Sequence, residues 1–600
     1  MKLTKKQLEW NYDPLLQNGK EDFVALREEI RKMTNEFVAK YRTDKEFLTD
    51  PQALKDALDS YELYCRTYAN GGNEKYYYEQ RDAIDQTDLI IKGKEKRADD
   101  FAVKNDNELA FFELELAKIP LEKQHEFTTS PLLTQYKHYL ERLFAEAKFM
   151  RGEKEERIMS LQEDTSYGDW IDMTERFLGK EERNVLTTSG KRKKMAFTQI
   201  QNTLDDKDKL VRDDAAKKLD EILAKHVDTA EAEMNAILQY KKVTDEIRGF
   251  SYPQESRMID DDMSFEDVTN MVESVTTHFD ISARYYELKA RLFKEKQLAY
   301  PERDIEYGEE RKTYTTDEAF SLVHEALTKL HPQFGEIMDK FIREGSYDVY
   351  PKKGKYSGSF CTEGLVSQPT YILLNFTGRL DDVFAIAHET GHGINFELMR
   401  EHQNALTVGT SLGTAEVASL FMEDFVLQKL LDGANDSLRL TLQMQKLNED
   451  VAAIFRQIAL YNFESEIHPL FASKGFITKE EFGELFKKHM KAYLGEYVDM
   501  TPGSQNWWVP WSHIRDYFYV YSYANGLLIA KALQSRVKQD PSFATNIIEF
   551  LSTGQSLSPD ETFKKMGIDI SEKQFWESGI AEVENLLTDT WKLAEKLSKI

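Results

Sequence analysis

His388, Glu389 and His392 stand at a spacing that chemistry can use, in the run His388-Glu389-Thr390-Gly391-His392. Positions four apart on a helix share one face, so the two imidazoles would point the same way, one turn apart. Two imidazoles so placed can hold one Zn²⁺, with Glu389 beside them as a general base. The preceding residues, Asp381 to Ala387, read as the start of that helix, with Asp381 as its N-cap and no proline through Arg400. Histidine is scarce, 12 in 600 residues, so the motif alone is a hypothesis. The competing reading is a helix with two solvated or core histidines.

A catalytic zinc site wants three protein ligands and one open position. Downstream, a helix capped by Thr414 or a neighbour would carry Glu416 and Glu423 on one face. Gly409, Ser411 and Gly413 allow the chain to turn back, so Glu416 would approach the histidines as third ligand. Otherwise both glutamates are surface charges, the usual fate of Glu.

HETGH, with Glu416 28 residues after His388 in EVASLFMED, resembles the thimet-oligopeptidase and oligoendopeptidase F family of zinc peptidases. Phe455-Arg456-Gln457 with Phe463-Glu464 is similar to that family's FRQ…FE helix. His513 followed by Phe518 to Ala524 resembles the pattern H…FYVYxYA, and Phe550-Leu551 to Gly554, Ser556 and Pro559 resembles FLxxGxS…P. The resemblance runs from about Gly249 to Asp569, and its closer branch is oligoendopeptidase F.

The resemblance implies a mainly α, large helical gluzincin (neurolysin-like) fold. It would carry a small β-sheet next to the HExxH helix and a deep substrate channel. It implies one Zn²⁺ on His388, His392 and Glu416, with Glu389 as catalytic base. It also implies that His513 and Tyr519, then Tyr523, hold the substrate carbonyl and its oxyanion. Without it, tyrosines this dense read as half-buried core. In such peptidases an edge strand beside the zinc helix binds the peptide by backbone hydrogen bonds. That role would fall to Tyr371 and its strand, 371–376, with the glycine-rich loop around Gly358 close to substrate. By itself the strand reads equally well as a buried hairpin. Glu423 would orient a zinc histidine or serve as a solvated or capping residue. Substrates would be short peptides, cut internally.

The positioning elements follow from composition and periodicity. Proline (14) and glycine (29) are sparse, which favours helix. Residues 1–20 read as an extended lead-in. Helices are predicted from Phe23, from Asp50-Pro51, from Tyr76 towards Lys92, and around 107–118, 133–150 and 154–164. Residues 205–247 read as a solvent-laced helix pair, and Lys191 to Lys194 as a solvated turn. Short strands and turns are expected over 346–378. A soft boundary near residue 190 would separate an N-terminal helical half, 1–190, from a catalytic domain, 191–600.

The net charge of −26 shows no basic footprint for nucleic acid. No apolar run long enough for a membrane span occurs, and the N-terminus lacks an apolar signal core. Cys65 and Cys361 make no disulfide framework, and a cytoplasmic location is the expectation. Two alternatives stay open. A metallocarboxypeptidase would need a cation for a free C-terminus, for which Arg456 or Arg515 are candidates. A non-catalytic peptide-binding protein would need no intact His388, Glu389, His392 and Glu416.

Overall fold

The computed structural model describes residues 1–308, 312–500 and 502–600. The chain is mainly α-helical with a few short strands, and it divides into two compact units, each assembled from three separated stretches. Unit 1 comprises Met1–Lys148, Arg311–Gly433 and Arg536–Asp569; unit 2 comprises Phe149–Glu310, Ala434–Ser535 and Ile570–Ile600. This partition in space differs in kind from a division by chain order at residue 190.

In unit 1 the N-terminal helices form where apolar residues recur at helical spacing. Val24–Tyr41 buries Leu26, Ile30 and Phe37. Pro51–Thr67 starts on Asp50, whose carboxylate accepts the N–H groups of Gln52 and Ala53. The helix predicted from Tyr76 towards Lys92 is two helices, Gly72–Ile84 and Leu89–Leu109. Asp88 caps the second by accepting from Ile90 and Ile91 N–H groups, and that cap sets the break. Tyr76, Tyr77 and Tyr78 are buried, as a packing stripe should be. The lead-in is short 3₁₀ turns rather than extended chain, and Trp10 anchors it by donating to Ile372 O at 3.0 Å.

The sheet of unit 1 has three short strands: β1 (Tyr347–Asp348), β2 (Phe360–Thr362) and β3 (Tyr371–Leu373). Their order is β1-β3-β2, with β3 parallel to β1 and antiparallel to β2. Helix α1 (Leu380–His402) packs against β2 and β3, and helix α2 (Val417–Asp432) packs against α1.

In unit 2 the predicted helix pair over 205–247 is one helix of 40 residues, Lys209–Arg248, about 60 Å long. It is not laced by solvent throughout: Leu219, Ile222, Ala230, Met234 and Ile237 are fully buried along it. The basic run is not a turn but a strand, Arg192–Ala196, paired antiparallel with Glu182–Leu186. Arg192 is held there by Asp214 at 2.8 Å. Helices α3 (Gln457–Lys474) and α4 (Tyr521–Gln539) frame the second group of candidate residues. Cys65 and Cys361 are both free thiols. Among the described residues, no helix is long and apolar enough to cross a membrane.

Candidate metal centre

The HETGH helix starts two residues earlier than its sequence suggests. Its N-cap is Arg379, not Asp381. Asp382, three residues on, reaches back to accept the N–H groups of Arg379 (2.8 Å) and Thr377 (2.7 Å). From there the helix runs unbroken past His388 and His392, whose rings lie 4.9 Å apart.

Glu416 arrives at the junction between a four-residue turn, Leu412–Ala415, and α2, where it occupies the N-cap position. Helices α1 and α2 meet closely because Gly391 has no side chain. A Cβ there would stand 2.8 Å from Ser419 Cα and 3.1 Å from Ala418 O. The glycine inside HETGH, beside the small residues Ala418 and Ser419, was the sequence signal for this approach. Thr390 is spoken for as well, bonded at 2.9 Å to Tyr347 OH in the interior.

The result is a three-donor cluster. His388, His392 and Glu416 offer ligand atoms that all lie within 4.8 Å of one another. His388 Nε2 and His392 Nε2 each stand 3.4 Å from Glu416 Oε2. Ligands about 2.0–2.1 Å from a tetrahedral zinc lie about 3.3–3.4 Å apart, so donor types and spacing both fit that ion. Glu423 Oε2 lies 3.4 Å from His388 Nδ1, on the far side of the ring, where a carboxylate can fix the tautomer. Ser419 Oγ donates to Glu416 Oε2 at 2.8 Å, a partner that sequence reading missed.

Electrostatics among these protein groups follow from burial and charge. Burial opposes protonation of His388, but the bond to Glu423 and the charges of Glu423, Glu389 and Glu416 prevail and hold its pKa up at about 9. Burial would raise Glu416; the two histidines and Ser419 outweigh it and hold the carboxylate at about 2. Burial wins at Glu389, which is raised above the usual carboxylate range despite both histidines. That direction suits a base that must take up a proton near neutral pH.

The edge strand differs from the expectation. β3, which carries Tyr371, is the middle strand, paired on both sides, so it has no free edge for a peptide. Tyr371 itself is buried at 1 % exposure and donates to Asn11 O at 2.6 Å. Tyr371 is therefore a core residue and not, as expected, part of an edge strand open to substrate. The strand beside Glu389 is β2, whose Cys361 N–H donates to that carboxylate. Gly358 lies in the loop before β2, where Asn375 Nδ2 donates to its carbonyl at 2.7 Å.

His513, Tyr519 and Tyr523 belong to unit 2 and form a cluster there. His513 sits on a 3₁₀ turn, Ser512–Arg515. Tyr519 precedes α4, so it does not share a helix face with Tyr523, yet the two rings touch at 5.6 Å. His513 Nε2 lies 3.1 Å from Tyr523 OH, and its ring is 5.9 Å from Tyr519. Burial, then the charge of Arg456, lowers the pKa of His513, so the ring is neutral at neutral pH. The neighbouring tyrosines point elsewhere: Tyr517 OH donates to Ile237 O at 2.7 Å, and Tyr521 OH to Asp261 at 2.6 Å.

The chain matches the model of Peptidase family M3 over residues 174–582, and that of Oligopeptidase F over residues 115–176. It belongs to peptidase family M3. That membership makes it a metalloendopeptidase. The plasmid oligoendopeptidase F of Lactococcus lactis subsp. cremoris is 24 % identical over 601 residues, covering 95 % of this chain and 99 % of that one. The chromosomal oligoendopeptidase F of the same organism is 28 % identical over 274 residues, 45 % of each chain, so this match spans about half of that relative. The crystal structure of oligoendopeptidase-F from Enterococcus faecium superimposes with a TM-score of 0.70 at 18 % identity, covering 96 % and 99 % of the two chains. The M3 fold expected from the motifs is the fold observed.

Proposed function

We propose that this M3 peptidase is a zinc-dependent oligoendopeptidase that hydrolyses internal bonds of short peptides. The observation that carries the reading is the pair of 3.4 Å spacings from Glu416 Oε2 to His388 Nε2 and His392 Nε2, which match the edges of a zinc tetrahedron. Bound zinc would acidify a water and polarise the scissile carbonyl. His388, His392 and Glu416 hold it, and Glu423 keeps the His388 ring in its tautomer. Glu389 takes the proton of the attacking water and delivers it to the leaving amine, base first and acid second. The free edge of β2, next to Glu389, aligns the peptide by backbone hydrogen bonds, with the Gly358 loop alongside. For donors to the developing oxyanion we propose His513 and Tyr519, with Tyr523 orienting the imidazole. A cytoplasmic site of action, where short peptides are recycled, completes the proposal.

An endopeptidase is favoured over a carboxypeptidase by the state of the two candidate arginines. Arg515 is buried in an ion pair with Glu233 at 2.6 Å and donates to Trp511 O and Val509 O. Arg456 is bonded to both oxygens of Asp304 at 2.9 and 3.0 Å. Neither is free to grip a terminal carboxylate.

The test pairs metal content with cleavage of an internally quenched peptide, for the native chain and Glu389→Gln. One zinc per chain in both is expected, with cleavage reduced about 10²–10⁴-fold in the variant. Full turnover by Glu389→Gln would remove Glu389 as the base. Release of single C-terminal residues would replace the endopeptidase reading.

A further inference from the structure

The edge strand of unit 1 carries a carboxylate that the three-donor cluster does not use. Glu363 directly follows Thr362, the last residue of β2, and β2 pairs with β3 on one side only. Side chains alternate along a strand, so Cys361 and Glu363 share one face and Thr362 takes the other. Burial, then the charges of Glu363 and Glu389, raise the Cys361 thiol, and Glu363 in turn feels the charge of His392. Glu363 therefore stands on the side of β2 that faces the HETGH residues. The chain on either side of it is fixed. Thr362 Oγ1 donates to Tyr371 O at 3.0 Å, and Leu365 N–H donates to Gln368 Oε1 at 2.8 Å. Between them Gly364 is pressed so closely that a Cβ would lie 2.7 Å from Gln368 Oε1 and 3.1 Å from the Tyr76 ring.

This carboxylate has no cation of its own. Among the described residues, no hydrogen bond or ion pair holds it. The arginine on that side, Arg400, is spent on Glu397 at 2.7 Å and lies over the Phe396 ring at 4.6 Å. The Glu363 side chain is open to solvent, yet enough protein surrounds it that burial raises its pKa against the charge of His392. A group at once open and partly desolvated lies in a recess, not on a convex surface. An unpaired carboxylate in a recess is stabilised by a cation that enters it.

We propose that Glu363 selects among peptides by receiving an ammonium or guanidinium group carried on the substrate residue about two positions from the scissile bond. The inference rests on the peptidase reading above, with β2 as the strand that aligns the substrate. Cys361 N–H meets Glu389, so the bond to be cut lies opposite Cys361. Two residues along a strand span about 6.6–6.8 Å. Residues opposite one another on paired strands put their side chains on the same face, where opposite charges attract. The peptide residue opposite Glu363 is thus two residues from the cut, and its side chain lies beside the carboxylate. The cation comes from a Lys or Arg side chain, or from the N-terminus of a peptide cut that near its end.

The test uses internally quenched peptides with blocked N-termini, identical except for one Lys moved through the residues flanking the cut, and a parent peptide with Gln in its place. The ratio of kcat/KM for a Lys peptide to that for the parent, taken on one zinc-loaded preparation, cancels metal occupancy. One Lys position should be preferred about fivefold at low salt, and the preference should shrink as ionic strength rises. Glu363→Gln should abolish it, and Glu363→Lys should turn it into a preference for Glu at that position. Unblocking the N-terminus of the parent separates the two sources, since a gain that Glu363→Gln lacks identifies the terminal ammonium as the cation. The same ratios measured as binding, by anisotropy of labelled peptides on zinc-loaded Glu389→Gln, do not depend on turnover. Cleavage of the parent that Glu389→Gln lacks upholds the peptidase reading whatever the ratios show. A native chain that gains from neither Lys nor a free N-terminus overturns the proposal, and so does a preference that Glu363→Gln retains. Lys and parent peptides slowed by one common factor in Glu363→Gln would make Glu363 a counter-charge to the metal and overturn it as well.

Discussion

The two groups of candidate catalytic residues are built on opposite principles. In unit 1, α1 and α2 are regular helices, and His388 and His392 reach a common point because the helix repeat puts them there. Backbone strain plays no part. In unit 2, His513 and Tyr519 sit on a turn that helix geometry does not supply. Tyr517 and Phe518 have φ of 21° and 60°, a left-handed region that bulky side chains avoid. The turn is held from several sides. Phe518 N–H donates to buried Glu464 at 2.9 Å, Tyr517 OH reaches Ile237 O, and Arg257 donates to Asp516 O at 3.2 Å. A metal site needs fixed distances, and one helix repeat provides them. Oxyanion donors need one aimed group, and a clamped, strained turn can aim it.

If that contrast is right, damage in unit 2 should cost rate and leave the metal untouched. Tyr519→Phe should lower kcat about 10²–10³-fold, with zinc content unchanged, because one donor to the oxyanion is lost. Tyr521→Phe, two residues on, should leave kcat near native and cost about 1–3 kcal/mol of stability, since it strips a buried bond to Asp261. Equal losses of kcat in the two variants would erase the distinction between them. Glu464→Ala should release the turn and lower kcat by up to about 10²-fold, as misplacement of a reacting group does. Glu464→Gln retains an oxygen to accept from Phe518 N–H and should restore most of the rate. A kcat for Glu464→Ala equal to native would show that the clamp is not needed.

The same contrast explains what could be read from the chain. The HETGH helix and Glu416 were legible because ligand spacing along α1 is a local property. The capping box of Thr478 with Glu481 rests on local spacing of the same kind. Tyr371 misled because pairing order is set by residues far apart: β1 comes from 347–348 and closes the side that a three-residue strand cannot announce. The register of the tyrosines was hidden for a related reason. A period-two run, Tyr517, Tyr519, Tyr521 and Tyr523, does not say where a turn with positive φ will divide it. Partners on the 40-residue helix and on α3 decide that. The arginines on Glu233 and Asp304 could not be paired from sequence at all, since the partners lie far away along the chain.

Within unit 1, the contrast predicts damage of the other kind. Glu423→Gln should weaken zinc binding about 10–100-fold, measured by competition with a chelator, because the carboxylate that orients His388 is lost. Once zinc is saturating, kcat should return close to native. A variant with native affinity would return Glu423 to the reading of a capping charge.

The smallest effect is a dependence on pH. Among the protein groups, His388 is held at about 9, above its ordinary 6.5. Protonated His388 therefore stabilises the metal-free fold fully below about 6.5, and that contribution disappears as pH rises through about 9. Zinc needs the neutral ring, so binding expels this proton. Apparent zinc affinity should climb between pH 6.5 and 9 by up to about tenfold per pH unit, and the gap in Tm between zinc-loaded and zinc-free protein should widen over the same range. Glu423 supplies the largest of the effects that raise His388, ahead of Glu389 and Glu416. Glu423→Gln should therefore lower the upper end of the window towards the ordinary value and flatten the climb above pH 7. A native slope in that variant would mean that Glu389 and Glu416 alone hold the proton, and that the bond to Glu423 orients the ring without charging it.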